Sequence, residues 1–231
     1  MIKIIKKTPE KIVFTTDMEI GLANALRRSV NEVPIMAMDE VDIYRNDSAL
    51  YDEMIAHRIG LIPLRHQKLK EGEVIQLKLN VEGREVVSQD LGKDVVFENM
   101  PIVLLGEDQG LEVVAKARVG TGKEHAKFIP GLVFYRYLSK IEIAKEGEKH
   151  KELAELFPHI FEFDGKLKVK DELQCDLDQE DVDGFKGITI KQTDQLVFTI
   201  ESWGQIKAED IFNEMIKALE NNLKDANKEL K

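Results

Sequence analysis

A short glycine-rich segment near the middle of the chain is the first candidate for chemistry. Gly120-Thr121-Gly122-Lys123 has the closely spaced glycines and the lysine that occur in phosphate-binding loops. The full pattern of such a loop is G-x-x-x-x-G-K-[ST]. Ala117 and Glu124 stand where that pattern requires a glycine and a serine or threonine. The segment is therefore predicted to be a flexible turn rather than a phosphate site.

Metal ligands and nucleophiles are sparse. Glu53 and His57 lie one helical turn apart, but two ligands do not make a metal site, and a surface pair is the simpler interpretation. Cys175 is the single cysteine, so it cannot form a disulfide within the chain. No nucleophile stands beside a recognisable base. We therefore predict no catalytic, metal-binding or cofactor-binding residue, and a stand-alone enzyme whose residues converge only in the fold stays an alternative.

Two adjacent arginines form the most distinctive polar group of the sequence. Arg27 and Arg28 lie between Asn24 and Asn31, which makes a compact patch rich in hydrogen-bond donors. A planar guanidinium group suits carboxylates and carbonyl oxygens of a partner. The same patch on an ordinary surface helix would only be solvated. Both interpretations stay open on the residues alone.

A helix must position these arginines. Thr16 or Asp17 can cap its start, and Pro34 must stop it, so we predict a helix up to about Val33. At about 100° per residue its apolar side chains fall on one arc, opposite the arginines. Core packing is the first explanation of this arc, which consists of Leu22, Leu26, Val30 and Val33.

The other end of the chain carries a second amphipathic helix, predicted from about Ala208 to the terminus. Its apolar residues step alternately by four and three positions, which is typical of helix packing against helix. The stripe either covers the chain's own sheet or docks another subunit. It consists of Phe212, Ile216, Leu219, Leu223, Ala226 and Leu230.

Short alternating segments before and between these helices predict a mainly antiparallel sheet structure. A helix is expected at residues 50–59, with Gly60 as its C-cap, and a polar loop at residues 67–73. Asp164-Gly165 predicts the turn of a hairpin in a charged insertion. The predicted strands are residues 2–7, 11–15, 41–44, 74–81, 86–88, 95–97, 101–105, 111–119, 132–137 and 196–201.

The composition describes a globular chain with an acidic surface. Its 231 residues are 43% hydrophobic and 33% charged, with a formal net charge of -10. That size fits one large domain or two small ones. The acidity argues against direct nucleic-acid binding. No apolar run is long enough for a membrane span or a signal peptide, so we expect a cytoplasmic protein without membrane contact.

Several segments of the sequence resemble the alpha-type assembly subunits of cellular RNA polymerases, and within that family the archaeal D-type subunits. The similarity extends over nearly the whole chain in the same order. It rests on residues 22–28, Pro34, Ala37, Val41, Ile43, residues 52–64, Gly120, Gly122, Lys123, residues 125–127, Pro130, Tyr135, Arg136 and residues 198–204.

The resemblance implies an α+β fold in two parts. A dimerisation domain of mixed helices and antiparallel sheet is expected at residues 1–40 and 193–231. An inserted, mainly-β domain is expected at residues 41–192. Within it, residues 140–190 are expected to form a ferredoxin-like subregion.

The resemblance also implies a non-catalytic scaffold role in a DNA-directed RNA polymerase, whose catalytic residues lie on other subunits. Members pair with a smaller alpha-like subunit, L, and the pair docks the large catalytic subunits and the small subunits N and P. The second arginine of the pair contacts the second-largest subunit, a role carried over to Arg28 and more loosely to Arg27. The small-subunit interface implied here is Leu22, Leu26, Val30, Phe212, Ile216, Leu219 and Leu223.

This chain departs from its relatives in two ways. It stops after the dimerisation helix, so the DNA-binding C-terminal domain of bacterial alpha subunits is not expected. Some archaeal relatives hold an iron-sulfur cluster, which needs several cysteine thiolates. Here the positions three and six residues after Cys175 hold Asp178 and Asp181 instead of cysteines. Pro158, which could follow the last cysteine of a cluster set, follows Phe157. We therefore predict no cluster, and a ferredoxin-like redox module stays the alternative function.

Overall fold

A computed structural model describes residues 2–67, 69 and 72–230. Residues 68, 70 and 71 of the predicted polar loop lie outside the described residues. So do the first and last residues of the predicted dimerisation domain.

The fold is a mixture of helices and antiparallel sheets, which confirms the predicted α+β class. The strands are β1 (Ile2–Lys7), β2 (Lys11–Thr16), β3 (Ile35–Asn46), β4 (Ile75–Glu82), β5 (Glu85–Val87), β6 (Pro101–Leu104), β7 (Gly110–Gly120), β8 (Gly131–Ile143), β9 (Phe161–Phe163), β10 (Leu167–Val169) and β11 (Ile188–Ser202). The helices are α1 (Ile20–Arg28), α2 (Asp52–Gly60), α3 (Lys151–Leu156), α4 (Gln179–Val182) and α5 (Ala208–Glu229).

The chain divides into two compact units. The first contains residues 1–7, 13–23 and 134–199, and the second contains residues 8–12, 24–133 and 200–231. The predicted boundaries near residues 40 and 193 coincide with neither division, so that domain assignment stays a prediction.

One four-stranded sheet has the order β1-β2-β11-β8, which leaves β1 and β8 at its edges. The predicted N-terminal hairpin is confirmed, since β1 and β2 are neighbours and the Thr8 N–H donates to the Lys11 carbonyl at 2.8 Å. Aromatic rings organise the core of the first unit. Phe14 and Phe198 stack at 5.2 Å, and Tyr135 stacks on Phe198 at 6.0 Å.

Residues 141–190 of the first unit have an apolar core of their own, and a short hairpin belongs to it. β9 and β10 pair antiparallel with Phe163 opposite Leu167. Gly165 takes a φ of +70°, which glycine adopts at no steric cost, so the predicted turn at Asp164-Gly165 is confirmed. A ferredoxin-like arrangement of this region stays a prediction. The core consists of Ile141, Leu153, Ile160, Phe161, Leu167, Cys175, Leu177, Val182, Ile188 and Ile190.

The second unit contains a three-stranded antiparallel sheet in the order β3-β7-β4. The alternation predicted for its central strand is confirmed, because four inward-facing residues of β7 are fully buried. α2 adds Ile55 and Ile59 to the same core. The buried residues of β7 are Leu111, Val113, Ala115 and Ala117.

The predicted start and the predicted end of the first helix are both wrong. α1 begins at Ile20, because the Thr16 hydroxyl accepts the Met18 N–H at 3.2 Å in a local turn instead of capping the helix. The α-helix ends at Arg28 and continues as a 3-10 turn over Ser29–Glu32. A tighter last turn is a common way for a helix to end, and Pro34 prevents any extension.

Gly60 is not the predicted C-cap but the last residue of α2. Leu61 caps the helix in an ordinary right-handed conformation, and its N–H donates to the carbonyls of His57 and Arg58 at 3.2 Å each. No left-handed residue is therefore required.

Four of the predicted strands differ from those of the structure by more than one residue at an end. β3 covers Ile35–Asn46, whereas the strand was predicted at residues 41–44. The strand predicted at residues 95–97 is reduced to one bridge between Leu64 and Val95. β8 and β11 are longer than the apolar alternation indicated. Pairing to neighbouring strands carries each of them through polar residues that periodicity does not identify. Within the described residues, none of the helices combines the length and the apolar character needed to span a bilayer.

Candidate partner interface

The C-terminal turn of α1 presents the predicted arginine patch. Arg27 is half-buried, and its guanidinium donates to the Asn24 side-chain oxygen at 2.9 and 3.2 Å. Asn24 lies one turn before Arg27, so this bond fixes the direction of the arginine along the helix surface. Both arginines lie at the negative end of the helix dipole, where a positive charge is favourable.

Arg28 differs from its neighbour because it is exposed. Among the residues that the structure describes, no side chain pairs with its guanidinium. The five donors of an arginine side chain therefore remain available to a partner's oxygen atoms. Of the two arginines, Arg28 is the one that is free to bind a partner, whereas Arg27 is held by Asn24.

The 3-10 turn after α1 connects this patch to α5. The two elements pack together, and the Asn222 side chain donates to both carboxylate oxygens of Glu32 at 2.9 and 3.0 Å. Lys123 also pairs with Glu32 at 2.9 Å. Glu32 thus joins three segments that are far apart in the sequence, which explains why no local pattern identified it.

The apolar stripe of α5 changes its surroundings along the helix. In the first half, the stripe residues Phe212 and Ile216 are half-buried, and Ile211 and Met215 beside them are fully buried. In the second half, every residue from 221 to 230 is exposed, including Leu223 at 64% and Leu230 at 88%. At about 1.5 Å per residue, this exposed segment is about 15 Å long. The stripe therefore continues beyond the part that this chain covers.

The residues predicted for the small-subunit interface fall into three groups. Leu26 and Val30 are 5% and 7% exposed, so they contribute to the core of this chain. Phe212, Ile216 and Leu219 are half-buried. The third group consists of the two exposed leucines, Leu22 at 53% and Leu223 at 64%. Contact of any of these residues with a partner stays a prediction.

The glycine-rich segment after β7 forms a turn against the 3-10 turn that follows α1. A turn was predicted here because the segment does not match the full phosphate-loop pattern. The Lys123 N–H donates to the Asn31 carbonyl at 3.1 Å. A Cβ at Gly122 would lie 2.6 Å from a side-chain carbon of Ile129 and 3.1 Å from the Asn31 backbone. Gly122 therefore permits close approach of the two segments, which is the reason for a glycine here.

A cluster of opposite charges holds this turn in place. Asp39 receives hydrogen bonds from Arg118 at 2.6 Å and from Lys127 at 2.9 Å. Both cations also lie over the ring of buried Phe128, at 4.9 and 5.2 Å from its centroid. The Arg118 guanidinium lowers the pKa of the Asp39 carboxyl below its ordinary value, with a further contribution from Lys127, and burial opposes this shift.

Cys175 lies in the core of residues 141–190, where it is 1% exposed. Burial raises the pKa of its thiol, which favours the uncharged form over the thiolate that binds metals. Arg136 donates from its guanidinium to the carbonyl oxygens of Leu173 and Cys175, and thus fixes the loop that carries the cysteine. The expectation that no iron-sulfur cluster binds stays a prediction.

Clusters suited to metal binding do not form among the described residues. No three His, Cys, Asp or Glu side chains there are placed to hold one ion. Glu53 and His57 are both exposed on α2. Among the described residues of the second unit, Arg28 and the second half of α5 are exposed.

A family model described as the RNA polymerase Rpb3/Rpb11 dimerisation domain matches residues 13–223. The chain belongs to this family. The match includes α1 and most of α5, so both helices belong to the part of the chain that the family shares. This confirms the resemblance to alpha-type assembly subunits that was inferred from segments between residues 22 and 204.

Curated members of the Rpb3/Rpb11 family are similar over nearly their full length. DNA-directed RNA polymerase subunit Rpo3 of Archaeoglobus fulgidus is 35% identical over 98% of this chain and 96% of its own length. The subunits of the same name from Thermococcus kodakarensis and Pyrococcus furiosus are each 34% identical over 94% of this chain and 92% of their own lengths. All three relatives are archaeal, as the D-type resemblance implies.

Proposed function

We propose that this chain is a non-catalytic assembly subunit of a DNA-directed RNA polymerase. The observation that carries the proposal is the second half of α5, an apolar stripe that the chain leaves exposed within a dimerisation domain. The named relatives are subunits of that polymerase. In this proposal other subunits supply the catalytic residues.

The first partner is a smaller alpha-like subunit of the L type. Its helices pack on the exposed continuation of the α5 stripe around Leu219 and Leu223, and on Leu22 of α1. Leu26 and Val30 act from beneath, since burial fixes the position of α1 without direct contact. Phe212 and Ile216, which are half-buried, lie at the transition between core and interface.

A second docking face, formed by Arg27 and Arg28 at the end of α1, binds the large catalytic subunits. Arg28 binds carboxylate or carbonyl oxygens of the second-largest subunit, and Asn24 holds Arg27 beside it. The small subunits N and P join the same assembly, as the resemblance implies. Direct contact with nucleic acid is not part of the proposed role, because the chain is acidic overall.

Co-expression with a candidate L-type subunit tests the first partner. The mass of the purified species, measured by light scattering after gel filtration, should correspond to one copy of each chain. A stable monomer that forms no complex would contradict the proposal.

Arg28→Ala tests the second face separately. The variant should form the small heterodimer as well as the unchanged chain does, but should recruit the large subunits less. Arg27→Ala is the matched variant and should have the smaller effect, because Arg27 is engaged by Asn24. Equal loss of both assembly steps would disprove this division of the faces.

A further inference from the structure

The first strand is an open edge. β1 is the outermost strand of its sheet, and all of its six residues are exposed. Within the described residues, no strand pairs with its outer side. Such an edge presents a row of N–H and C=O groups that a second extended chain can pair.

β1 exposes apolar side chains on both of its faces. Ile2 and Ile4 are 49% and 57% exposed, and Ile5, which points to the opposite face, is 39% exposed. Successive side chains of a strand point to opposite sides. A partner strand laid along the edge would therefore cover isoleucine on each face, which removes apolar surface from water.

A cavity adjoins one of these faces. Its volume is about 390 Å³, and it offers room for side chains of an added strand. In recognition by strand addition, backbone hydrogen bonds supply affinity and side-chain pockets supply specificity. The residues that line the cavity are Lys3, Ile5, Thr15, Leu138, Leu173 and Gln195.

The charge of β1 is opposite to that of the whole chain. Three of its six residues are lysines, whereas the chain has 43 acidic and 33 basic residues and a net charge of -10. Directly opposed like charges destabilise a strand pair, and opposite charges stabilise it. The β1 strand of a second copy would bring lysines against lysines, so the charge pattern disfavours self-pairing. It favours an acidic strand.

We propose that β1 binds, by strand addition, an extended acidic segment of a partner protein. Acidic side chains of that segment lie opposite Lys3, Lys6 and Lys7, and apolar side chains lie opposite the three isoleucines. The inference does not depend on the proposed polymerase role, because it uses neither α1 nor α5.

A pair of short peptides tests this proposal on the full chain. The probe is a fluorophore-labelled peptide of sequence Glu-Glu-Val-Val-Glu-Val, which complements β1 when it runs antiparallel. Its counterpart has lysine in place of each glutamate. Fluorescence anisotropy should show binding of the acidic peptide and roughly tenfold weaker binding of the basic one, since two or more charge pairs change sign.

Charge reversal in the protein should reverse its preference between the two peptides. The double variant Lys3→Glu/Lys6→Glu should lose affinity for the acidic probe and gain affinity for the basic one. Lys145→Glu/Lys149→Glu makes the same change in net charge at exposed residues elsewhere in the first unit. This control should bind the acidic peptide as the unchanged chain does.

Methylation of the peptide backbone separates strand addition from simple charge attraction and does not require any protein variant. N-methyl groups at alternate residues remove the donors of one peptide edge and leave the charge intact. The two possible patterns of alternate methylation block opposite edges of the peptide. The pattern that blocks the edge facing β1 should bind at least about tenfold more weakly, because that peptide cannot pair with β1. The proposal is overturned by equal binding of both methylation patterns, by no binding of the acidic peptide at millimolar concentration, or by equal losses in the control and the test variant.

Discussion

The apolar stripes of α1 and α5 follow the same helical spacing but have different surroundings. Leu26 of α1 and Val30 of the 3-10 turn that follows it are almost fully buried. In α5, burial ends about halfway along the helix, and Leu223 is mostly exposed. Periodicity therefore identifies an apolar face, but it does not show whether the same chain or another chain covers that face. Only the structure separates the core stripe from the open one.

The largest expected effect comes from the buried stripe. Leu26→Ala should lower the free energy of unfolding by about 2–4 kcal/mol, because it leaves a cavity where a buried leucine packs. Urea denaturation followed by circular dichroism measures the change. Leu22→Ala on the same helix is the control and should change stability by less than about 1 kcal/mol, since Leu22 is largely exposed. Equal effects at both positions would remove the distinction between buried and exposed parts of α1.

A smaller effect is expected where the two helical segments meet. Asn222→Ala removes the hydrogen bonds to Glu32 and should reduce the free energy of unfolding by about 0.5–1.5 kcal/mol. Asn221→Ala is the matched control, because Asn221 lies beside Asn222 in the sequence and its side chain is exposed. If the two variants were equally stable, the contact between α5 and the 3-10 turn would not fix the orientation of α5.

The charge cluster at Asp39 should give the smallest effect, confined to acidic pH. Its folded-state pKa lies below the unfolded value of about 3.9. Its stabilising contribution is therefore complete above that value and is lost as the pH falls through the folded pKa. Unfolding midpoints of the unchanged chain and of Asp39→Asn, measured from pH 7 to pH 2, should converge at the acidic end. A constant difference over that range would show that the carboxylate charge is not responsible.

The sequence predicted the two helices, the N-terminal hairpin and the turn at Gly165 because each depends on neighbouring residues. The end of α1 was misjudged, because apolar spacing continued into residues that fold as a 3-10 turn. Glu32 and Asp39 were missed, since Asn222, Lys123 and Arg118, with which they pair, are distant in the sequence. The exposed half of α5 could not be assigned either, because burial depends on the tertiary arrangement.

In the proposed assembly, a partner subunit covers the exposed half of α5. Leu223→Asp places a charge in that stripe at a position that this chain does not cover. Affinity for an L-type subunit, measured by isothermal titration calorimetry, should fall by at least about tenfold, while the urea midpoint of the chain alone stays unchanged. Undiminished affinity would contradict this role, because the exposed stripe would then have no part in assembly.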